Sequence, residues 1–453
     1  GSPRRVLATT EAYSGPCWRL TFGDGTSIIA HDRHEWQTRR SWFTKRTKGS
    51  RGPLPLVETA EIASTLRGGA RGDLVHAIPV AGPLVLPDAA LPIPPYTLGA
   101  WLGDGHSAGG RLTCADAEIV AGVRAEDVPA RLTQASGQGA ARTYSLGDGR
   151  RGSRDGFTTC LRGLGILGDK AVPGAYLRAS LAQRRAVLAG LVDTDGHVTP
   201  DGQCEIVLTN ARLFQSAMEL IRSLGFKPTA TEDRATLNGR DIGPRYRLQF
   251  WPDAASLPLQ VPRKRDRLRL DVGKRCRVRM IVAAERVAPH MVNCIEVDGG
   301  LYLAGEGMVT THNSTLLAGV GLLALTADDE PGAEVYTAAT KRDQAKIIFD
   351  EAKRMVAASP ELNEEIRRYK ANLSIDRTGS KFEPLSADEK TLDGLNPHCA
   401  LIDEVHKHKT RAVLDVLDTA MGSRRQPILW QITTAGDDSP ESVYAQENDY
   451  AVK

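Results

Sequence analysis

The sequence lacks several features that define other classes of protein. Its 453 residues contain no run of about 18 or more apolar residues, which argues against a membrane-spanning helix. No charged and then apolar leader opens the chain, which argues against secretion. The seven cysteines are scattered without a C-x-x-C pair, so neither a zinc knuckle nor a disulfide framework is indicated. These absences predict reduced thiols and a cytoplasmic protein.

Positive charge is concentrated in one stretch. Residues 263–279 carry nine Lys or Arg and two Asp, although the formal net charge of the chain is only +3. Such a cluster is either a solvated basic linker or a surface that follows nucleic-acid phosphates. With 41% hydrophobic and 25% charged residues, the chain otherwise has the composition of a globular protein. Its length predicts about two to four domains.

Strand-like patterns occupy both ends of the first two-thirds of the chain. Residues 13–38 alternate around a Gly-Asp-Gly hairpin turn at 23–25, and residues 280–308 return to short strands. The Arg-, Gly- and Pro-rich stretch at 39–95 predicts an entry linker. We interpret the two β-rich ends as one domain that is interrupted by an inserted domain.

Two segments with similar endings lie inside that inserted domain. They are "TLGAWLGDG" at 97–105 and "LAGLVDTDG" at 188–196. Each ends a predicted helix, and small residues at equivalent positions would let the two helices approach backbone to backbone. Side-by-side packing would bring Asp104 and Asp195 together, and two carboxylates can bind a divalent metal for phosphodiester cleavage. The alternative is that both aspartates merely end helices, which the helix dipole disfavours.

The two segments resemble the signature of LAGLIDADG homing endonucleases, and the resemblance covers roughly residues 95–252. It implies an α+β domain in which an αββαββα unit occurs twice, with antiparallel strands in the major groove of double-stranded DNA. It also implies Mg²⁺ bound by Asp104 and Asp195. Lys170 matches a lysine that the family often places near the active centre, and an ordinary surface lysine is the alternative.

The tripeptide His312-Asn313-Ser314 carries the groups needed to break and remake a peptide bond. The Asn side chain can attack its own main-chain carbonyl, and the neighbouring His can polarise that carbonyl or protonate the leaving amine. The Ser hydroxyl can accept an acyl group as an ester and pass it to its own freed amine. The segment at 293–313 resembles the C-terminal end of an intein, a protein-splicing element.

A second segment, "DGTSIIAHDRHEW", resembles the intein motif in which His34 protonates the upstream amide. Trp36, Cys294 and Thr311 match the Trp-Cys-Thr set of class 3 inteins. In that class Cys294 would attack the upstream carbonyl directly and hand the resulting thioester to Ser314. The resemblance implies an all-β horseshoe (Hint) fold and no cofactor for splicing. The alternatives are a small buried hydrophobe for Cys294 and core packing for Trp36.

Helices alternate with apolar strands after Ser314, which predicts an α/β domain. Ser314 and Thr315 match the end of a phosphate-binding loop. We therefore expect the rest of that loop, G-x-x-x-x-G-K, in the host sequence that precedes the guest, where the guest is the intein with its embedded endonuclease. The Ser314 hydroxyl would then bind Mg²⁺. Asp403 would hold Mg²⁺, and Glu404 would activate the attacking water.

Residues 314–453 resemble the ATPase domain of a phage terminase large subunit, the motor that packages double-stranded DNA. In that family Thr433 or Thr434 would sense hydrolysis of ATP. The spliced host would have the portal and the small terminase subunit as partners. A helicase with the same core is the alternative host.

The expected organisation is multidomain. We expect splicing-domain halves at 1–84 and 256–313, the endonuclease at 85–255 and a partial P-loop ATPase domain at 314–453. The first splicing motif and the terminase nuclease domain are expected outside this sequence, so a fragment encoded by a phage or prophage in a bacterial host is predicted. A splicing-inactive fusion that only binds DNA is the alternative function.

Overall fold

In the computed structural model, the residues whose structure is described form a discontinuous set. They are residues 1–9, 12–40, 56–68, 72–135, 141–147, 156–237, 240–297, 301–312, 316–328, 330–339, 342–385, 394–403, 405, 408, 410–432, 439 and 441–452. Among the helices of these ranges, none combines the length and the apolar composition that a bilayer crossing requires.

The amino-terminal part is built mainly from short strands. Its elements are β1 (Val6–Thr9), β2 (Tyr13–Phe22), β3 (Ser27–His31), β4 (Glu35–Gln37), β5 (Arg39–Arg40), β6 (Leu56–Glu58), α1 (Thr59–Ser64), β7 (Arg67–Gly68), β8 (Asp73–Leu74) and β9 (His76–Pro79). The expectation of a linker at 39–95 is therefore wrong for residues 56–79. Alternating polarity is hard to recognise in strands of two to four residues, yet Ile62 and Ile78 are fully buried here.

The central part contains two similar groups of helices and strands. They are α2 (Pro95–Asp104), β10 (Arg111–Cys114), α3 (Ala117–Ala125), β11 (Ala130–Ala135), β12 (Arg142–Leu146), α4 (Phe157–Gly163) and α5 (Gly174–Leu177), then α6 (Leu181–Asp195), β13 (Gly196–Val198), β14 (Cys204–Leu208), α7 (Ala211–Ser223), β15 (Thr229–Leu237), β16 (Arg240–Phe250) and α8 (Pro262–Arg265).

Each group carries its own antiparallel sheet, ordered β10-β12-β11 in the first and β13-β14-β16-β15 in the second. In the first group, Gly105 makes an isolated bridge to Leu112 where the second group has strand β13. Helices α2 and α6 lie in the shared hydrophobic core of this part. Pro95 at the first turn begins α2, and a capping box of Ser180 with Gln183 begins α6.

The chain then returns to strands before the last part. The elements are β17 (Val278–Val292), β18 (Ile295–Val297), β19 (Leu301–Ala304) and β20 (Val309–His312). Strand β17 pairs antiparallel with β2 and β9, so strands from both sides of the central part share the sheet β3-β2-β17-β9-β5. Strand β1 likewise pairs with β18. The buried side chains Leu20, Phe22, Trp36 and Ile281 belong to the core of this β-rich part.

The last part is an α/β layer. Its elements are α9 (Leu316–Thr326), β21 (Glu334–Ala338), α10 (Arg342–Ala358), α11 (Pro360–Glu365), β22 (Arg367–Arg368), β23 (Leu373–Ile375), β24 (Ser380–Pro384), β25 (Pro397–Asp403), α12 (Ala412–Ala420), β26 (Ile428–Ile432) and α13 (Val443–Val452). The sheet order is β22-β23-β24-β21-β25-β26, and its last four strands are parallel. Buried parallel strands explain the continuous apolar runs in this part of the sequence.

Candidate functional site

Helices α2 and α6 approach each other so closely that only glycine fits at their contact. A Cβ atom added at Gly99 would lie 2.0 Å from the carbonyl oxygen of Val187. A Cβ atom added at Gly190 would lie 2.3 Å from the carbonyl oxygen of Tyr96. These distances are far below van der Waals contact, so the two helices touch backbone to backbone. The two helix ends therefore emerge side by side.

The carboxyl groups of Asp104 and Asp195 meet at those two ends, close enough for each to affect the pKa of the other. Burial raises the pKa of Asp104, and the lysines Lys264 and Lys170 oppose that rise. Asp195 retains solvent contact, yet the protein packed around it and the neighbouring Asp104 carboxylate raise its pKa to about 6. The pair therefore concentrates negative charge that a cation would relieve.

Lys170 lies beside this pair. Its Nζ atom donates to the carbonyl oxygens of Gly103 at 2.8 Å and Gly105 at 2.7 Å, and it lies 5.1 Å from the centroid of the Trp101 ring. Burial lowers the pKa of Lys170 to about 8, while Asp195 and Asp104 oppose that shift. The side chain thus binds the last carbonyls of α2 and places an ammonium next to the carboxylates.

Lys264 lies at the end of α6, as Lys170 lies at the end of α2. Lys264 was not identified as a site residue from the sequence. Its Nζ atom donates to the carbonyl oxygens of Val192 at 2.9 Å and Asp193 at 2.6 Å, and the residue is only 4% exposed. Lys264 lies within the basic stretch, which concealed it among solvated charges. The internal repeat could have identified Lys264, because each lysine follows the aspartate of its own repeat at a similar distance. Lys170 follows Asp104 by 66 residues, and Lys264 follows Asp195 by 69.

The carboxylate oxygens of Asp104 and Asp195 suit a hard divalent cation that keeps part of its hydration shell. Among the described residues, no group of three or more His, Cys, Asp or Glu side chains could hold a metal ion. The two carboxylates therefore supply only part of a coordination shell. Mg²⁺ is commonly bound in this way, by one or two carboxylates with water and substrate phosphate oxygens completing the shell.

A second cluster lies in the β-rich part, around a cavity of about 870 Å³. His34, Trp36, Cys294 and Thr311 all line this cavity. The His34 Nε2 and Thr311 Oγ1 atoms are hydrogen-bonded. The His34 ring stands edge-on to the Trp36 ring, with 4.9 Å between centroids. The structure thus brings these four predicted residues together.

Trp36 and Cys294 differ in their surroundings. Trp36 is fully buried, and its indole Nε1 donates to the Thr59 hydroxyl at 2.9 Å, so the tryptophan packs in the core and also borders the cavity. Cys294 is an exposed residue between β17 and β18, which contradicts the alternative of a buried hydrophobe. The protein that surrounds its thiol raises the pKa of Cys294. Attack by Cys294 would therefore require removal of the thiol proton.

The remaining predicted residues are placed only in part. Asn313, Ser314, Thr315, Glu404, Thr433 and Thr434 lie outside the described residues. His312 ends strand β20, where its backbone is paired with Leu301. Asp403 ends β25 and pairs with Ile432, the last residue of β26. The carboxyl ends of these two parallel strands therefore lie at the same edge of the sheet.

Two family models match separate regions of the chain. The model for homing endonucleases matches residues 171–248, and the model for the ATPase domain of the terminase large subunit matches residues 309–453. The chain is thus multidomain, with a homing endonuclease-like region followed by a terminase ATPase-like region.

Individual proteins match the chain over different lengths. The replicative DNA helicase DnaB of Mycobacterium intracellulare is 38% identical over 331 residues, which cover 70% of this chain and 54% of the helicase. The terminase large subunit of Enterobacteria phage HK97 is 30% identical over 131 residues, which cover 26% of this chain and 25% of that subunit. The chain therefore spans about half of the helicase and a quarter of the terminase.

One structural comparison is with a homing endonuclease. Solved structures of mesophilic variants of the homing endonuclease I-DmoI are 16% identical to this chain, with a TM-score of 0.24. The match covers 35% of this chain and 88% of the endonuclease chain.

Proposed function

We propose that the chain carries a class 3 protein-splicing element with an embedded site-specific DNA endonuclease, inserted in the ATPase domain of a phage terminase large subunit. For the endonuclease, the observation that carries the proposal is the close approach of the Asp104 and Asp195 carboxyl groups at the ends of two tightly packed helices. For splicing, it is the cavity that joins His34, Trp36, Cys294 and Thr311.

In the endonuclease, Asp104 and Asp195 would hold Mg²⁺, which supplies a Lewis acid and an activated water for phosphodiester hydrolysis. Lys170 and Lys264 place ammonium groups beside the carboxylates, where they favour the ionised carboxylates and negative charge that develops on DNA phosphate. The strands of the two sheets would lie along double-stranded DNA.

In the splicing reaction, the Cys294 thiolate would attack the carbonyl carbon at the upstream junction, and the departing amine would take a proton from His34. The thioester acyl group would then pass to the Ser314 hydroxyl, which releases the Cys294 thiol. Cyclisation of Asn313 would break its bond to Ser314, and an O-to-N acyl shift would join the host segments by a peptide bond. Thr311 accepts or donates the hydrogen bond that orients His34.

The comparisons support a guest that occurs in more than one host. The terminase ATPase model occupies residues 309–453, which are about a third of the chain, whereas the helicase match covers 70%. More than half of the helicase match must therefore lie before residue 309. The terminase of phage HK97 covers only 26% of the chain. A segment shared with a helicase but joined here to a terminase region is the pattern expected of an inserted element.

The helicase match is also compatible with a second candidate, in which residues 314–453 belong to a helicase-type ATPase. The match of residues 309–453 to the terminase model weighs against it. The two hosts are distinguished by activity of the spliced protein. A terminase host would show DNA-stimulated ATP hydrolysis without strand separation, and a helicase would unwind a forked duplex.

Splicing is tested by expressing the gene at full length and measuring intact masses. The expected products are a joined host protein and a released guest that ends at Asn313. Cys294→Ala should prevent the joined product, whereas Cys160→Ala, a control cysteine in α4, should not. A parent protein that stays unprocessed would contradict the splicing proposal and would leave the DNA-binding fusion as the better account.

Endonuclease activity is tested on a plasmid that carries the host gene without the guest segment. The expected result is a single double-strand break at the insertion point in the presence of Mg²⁺ and none with a chelator. An otherwise identical plasmid that keeps the guest segment should remain intact, since the insertion divides the recognition site. Equal cleavage of both plasmids would contradict site-specific cutting.

A further inference from the structure

A charged contact joins the ATPase region to the β-rich part next to His34. The Arg354 guanidinium of helix α10 lies 2.7 Å from a carboxylate oxygen of Glu35, the residue that follows His34 in the chain. Arg354 also donates to Glu351, one turn earlier on α10, from its Nε atom at 2.9 Å. One arginine therefore binds a carboxylate from each of the two parts.

The carboxylates of this contact are shielded from water, whereas the Arg354 side chain is 37% exposed. The side chain of Glu35 is 11% exposed, and Glu351 is buried. The Glu35 and Glu351 carboxylates bind the same Nη2 atom of Arg354. A third carboxyl group near Arg354 belongs to Glu58. This residue pairs with Glu35 across strands β4 and β6. Because the Glu35 and Glu351 carboxylates are both largely buried, solvent screens these ion pairs less than it screens fully exposed pairs, and two carboxylates constrain the position of one guanidinium.

Strand β4 links this contact to the splicing residues. It begins at Glu35, carries Trp36 and contacts strand β20, which carries Thr311 and leads to Asn313. Helices α9 and α10 also line the cavity, through Leu322, Leu323 and Met355. A shift of β4 would therefore move His34 and Trp36 relative to Thr311.

We propose that Arg354 is a positioning residue for the splicing centre, through which the host ATPase region holds strand β4 in place. This inference rests on the proposed splicing function. The host is then part of the splicing apparatus, because it lines part of the cavity and fixes the segment that carries His34 and Trp36. Splicing becomes coupled to folding of the host helices that follow the insertion point.

The test measures the rate at which full-length precursor is converted to joined host and released guest. Arg354→Ala should slow the conversion by about tenfold, which corresponds to about 1.4 kcal/mol of activation free energy. Arg354→Lys keeps the charge and should recover part of the rate, since it lacks the guanidinium fork. Glu35→Gln should slow the reaction as well, and combining it with Arg354→Ala should add little, because both changes remove one contact.

A matched control is Arg377→Ala, which removes an exposed arginine that pairs with Glu365 within the ATPase region. This variant should splice at the parental rate. Amide exchange in β4 supplies a second measurement, since loss of the Arg354 contact should speed exchange at Trp36 and Gln37 while exchange in β25 stays unchanged.

The outcomes separate the two proposals. If the parent splices and Arg354→Ala splices as fast as Arg377→Ala, the positioning role is wrong and the splicing function stands. If the Arg354 and Glu35 effects are fully additive, the two residues act separately and the positioning role is also wrong. If the parent gives neither product, the splicing function fails and takes the positioning role with it.

Discussion

The carboxyl groups of Asp104 and Asp195 lie next to each other although 91 positions separate them in the chain. The backbone contact at Gly99 and Gly190 brings them together. Both carboxyls have raised pKa values, so the pair is electrostatically strained until a cation or proton joins it.

Replacing either carboxylate should abolish DNA cleavage while leaving the fold intact. Asp195→Asn keeps the shape of the side chain and removes its charge, so cleavage in Mg²⁺ should fall by at least about a hundredfold. Asp127→Asn is the control, since Asp127 is exposed and its φ of 60° is well tolerated by Asn. DNA binding is measured separately by gel shift. Cleavage by Asp195→Asn at the rate of Asp127→Asn would contradict the metal assignment.

The two lysines at the helix ends should differ in what they contribute. Lys170→Met should lower single-turnover cleavage by about a hundredfold with DNA affinity retained, because it removes the ammonium beside the carboxylates. Lys264→Met should also destabilise the protein by about 1–3 kcal/mol, since it leaves buried carbonyls of α6 without their donor. Exposed Lys370 provides the matched Lys→Met control, which should change neither property. Unaltered cleavage in both active-site variants would refute the electrostatic role.

The glycine contact should tolerate no side chain. Gly99→Ala or Gly190→Ala forces the helices apart and should destabilise the endonuclease region by about 1–3 kcal/mol. Gly163→Ala in α4 is the control, because an added Cβ there meets no atom within 4 Å and alanine favours helix by up to about 1 kcal/mol. Denaturant unfolding followed by Trp101 fluorescence measures the difference. Equal stability of all three variants would contradict backbone contact between the two helices.

The contact between the ATPase region and strand β4 should weaken as pH rises. Burial and the neighbouring Glu35 carboxylate raise the pKa of Glu351 from 4.5 to about 7, and Arg354 opposes that rise. Between these two values the folded protein holds a proton that the unfolded chain has lost, so stability falls with increasing pH across that window. Glu58 and Arg33 also lie near the group of charges around Arg354.

The pH effect is measured as the thermal midpoint between pH 5 and pH 8. Glu351→Gln should flatten the dependence, because the amide does not titrate and can still bond to Glu35. Glu364→Gln on exposed helix surface should follow the parent. A parental slope that survives in Glu351→Gln would assign the pH dependence to other groups.

Local features of the sequence were sufficient for much of this molecule. Helices α2 and α6 were predictable because proline, capping residues and apolar spacing act within a few residues. The repeated Asp-Gly ends pointed to a carboxylate pair, and the strand patterns pointed to an α/β layout after Ser314. The homing endonuclease and terminase ATPase regions were both recognisable from their motifs, and the family models confirm these two regions.

The amino-acid order by itself thus determined the helices, the candidate carboxylates and the kinds of region that the chain contains. Only the tertiary structure decided that Lys264 closes the end of α6, that residues 56–79 belong to the β-rich part, and that Arg354 reaches Glu35. The reason is physical: backbone preferences act between neighbours in sequence, whereas an ion pair between residues about three hundred positions apart depends on the whole path of the chain.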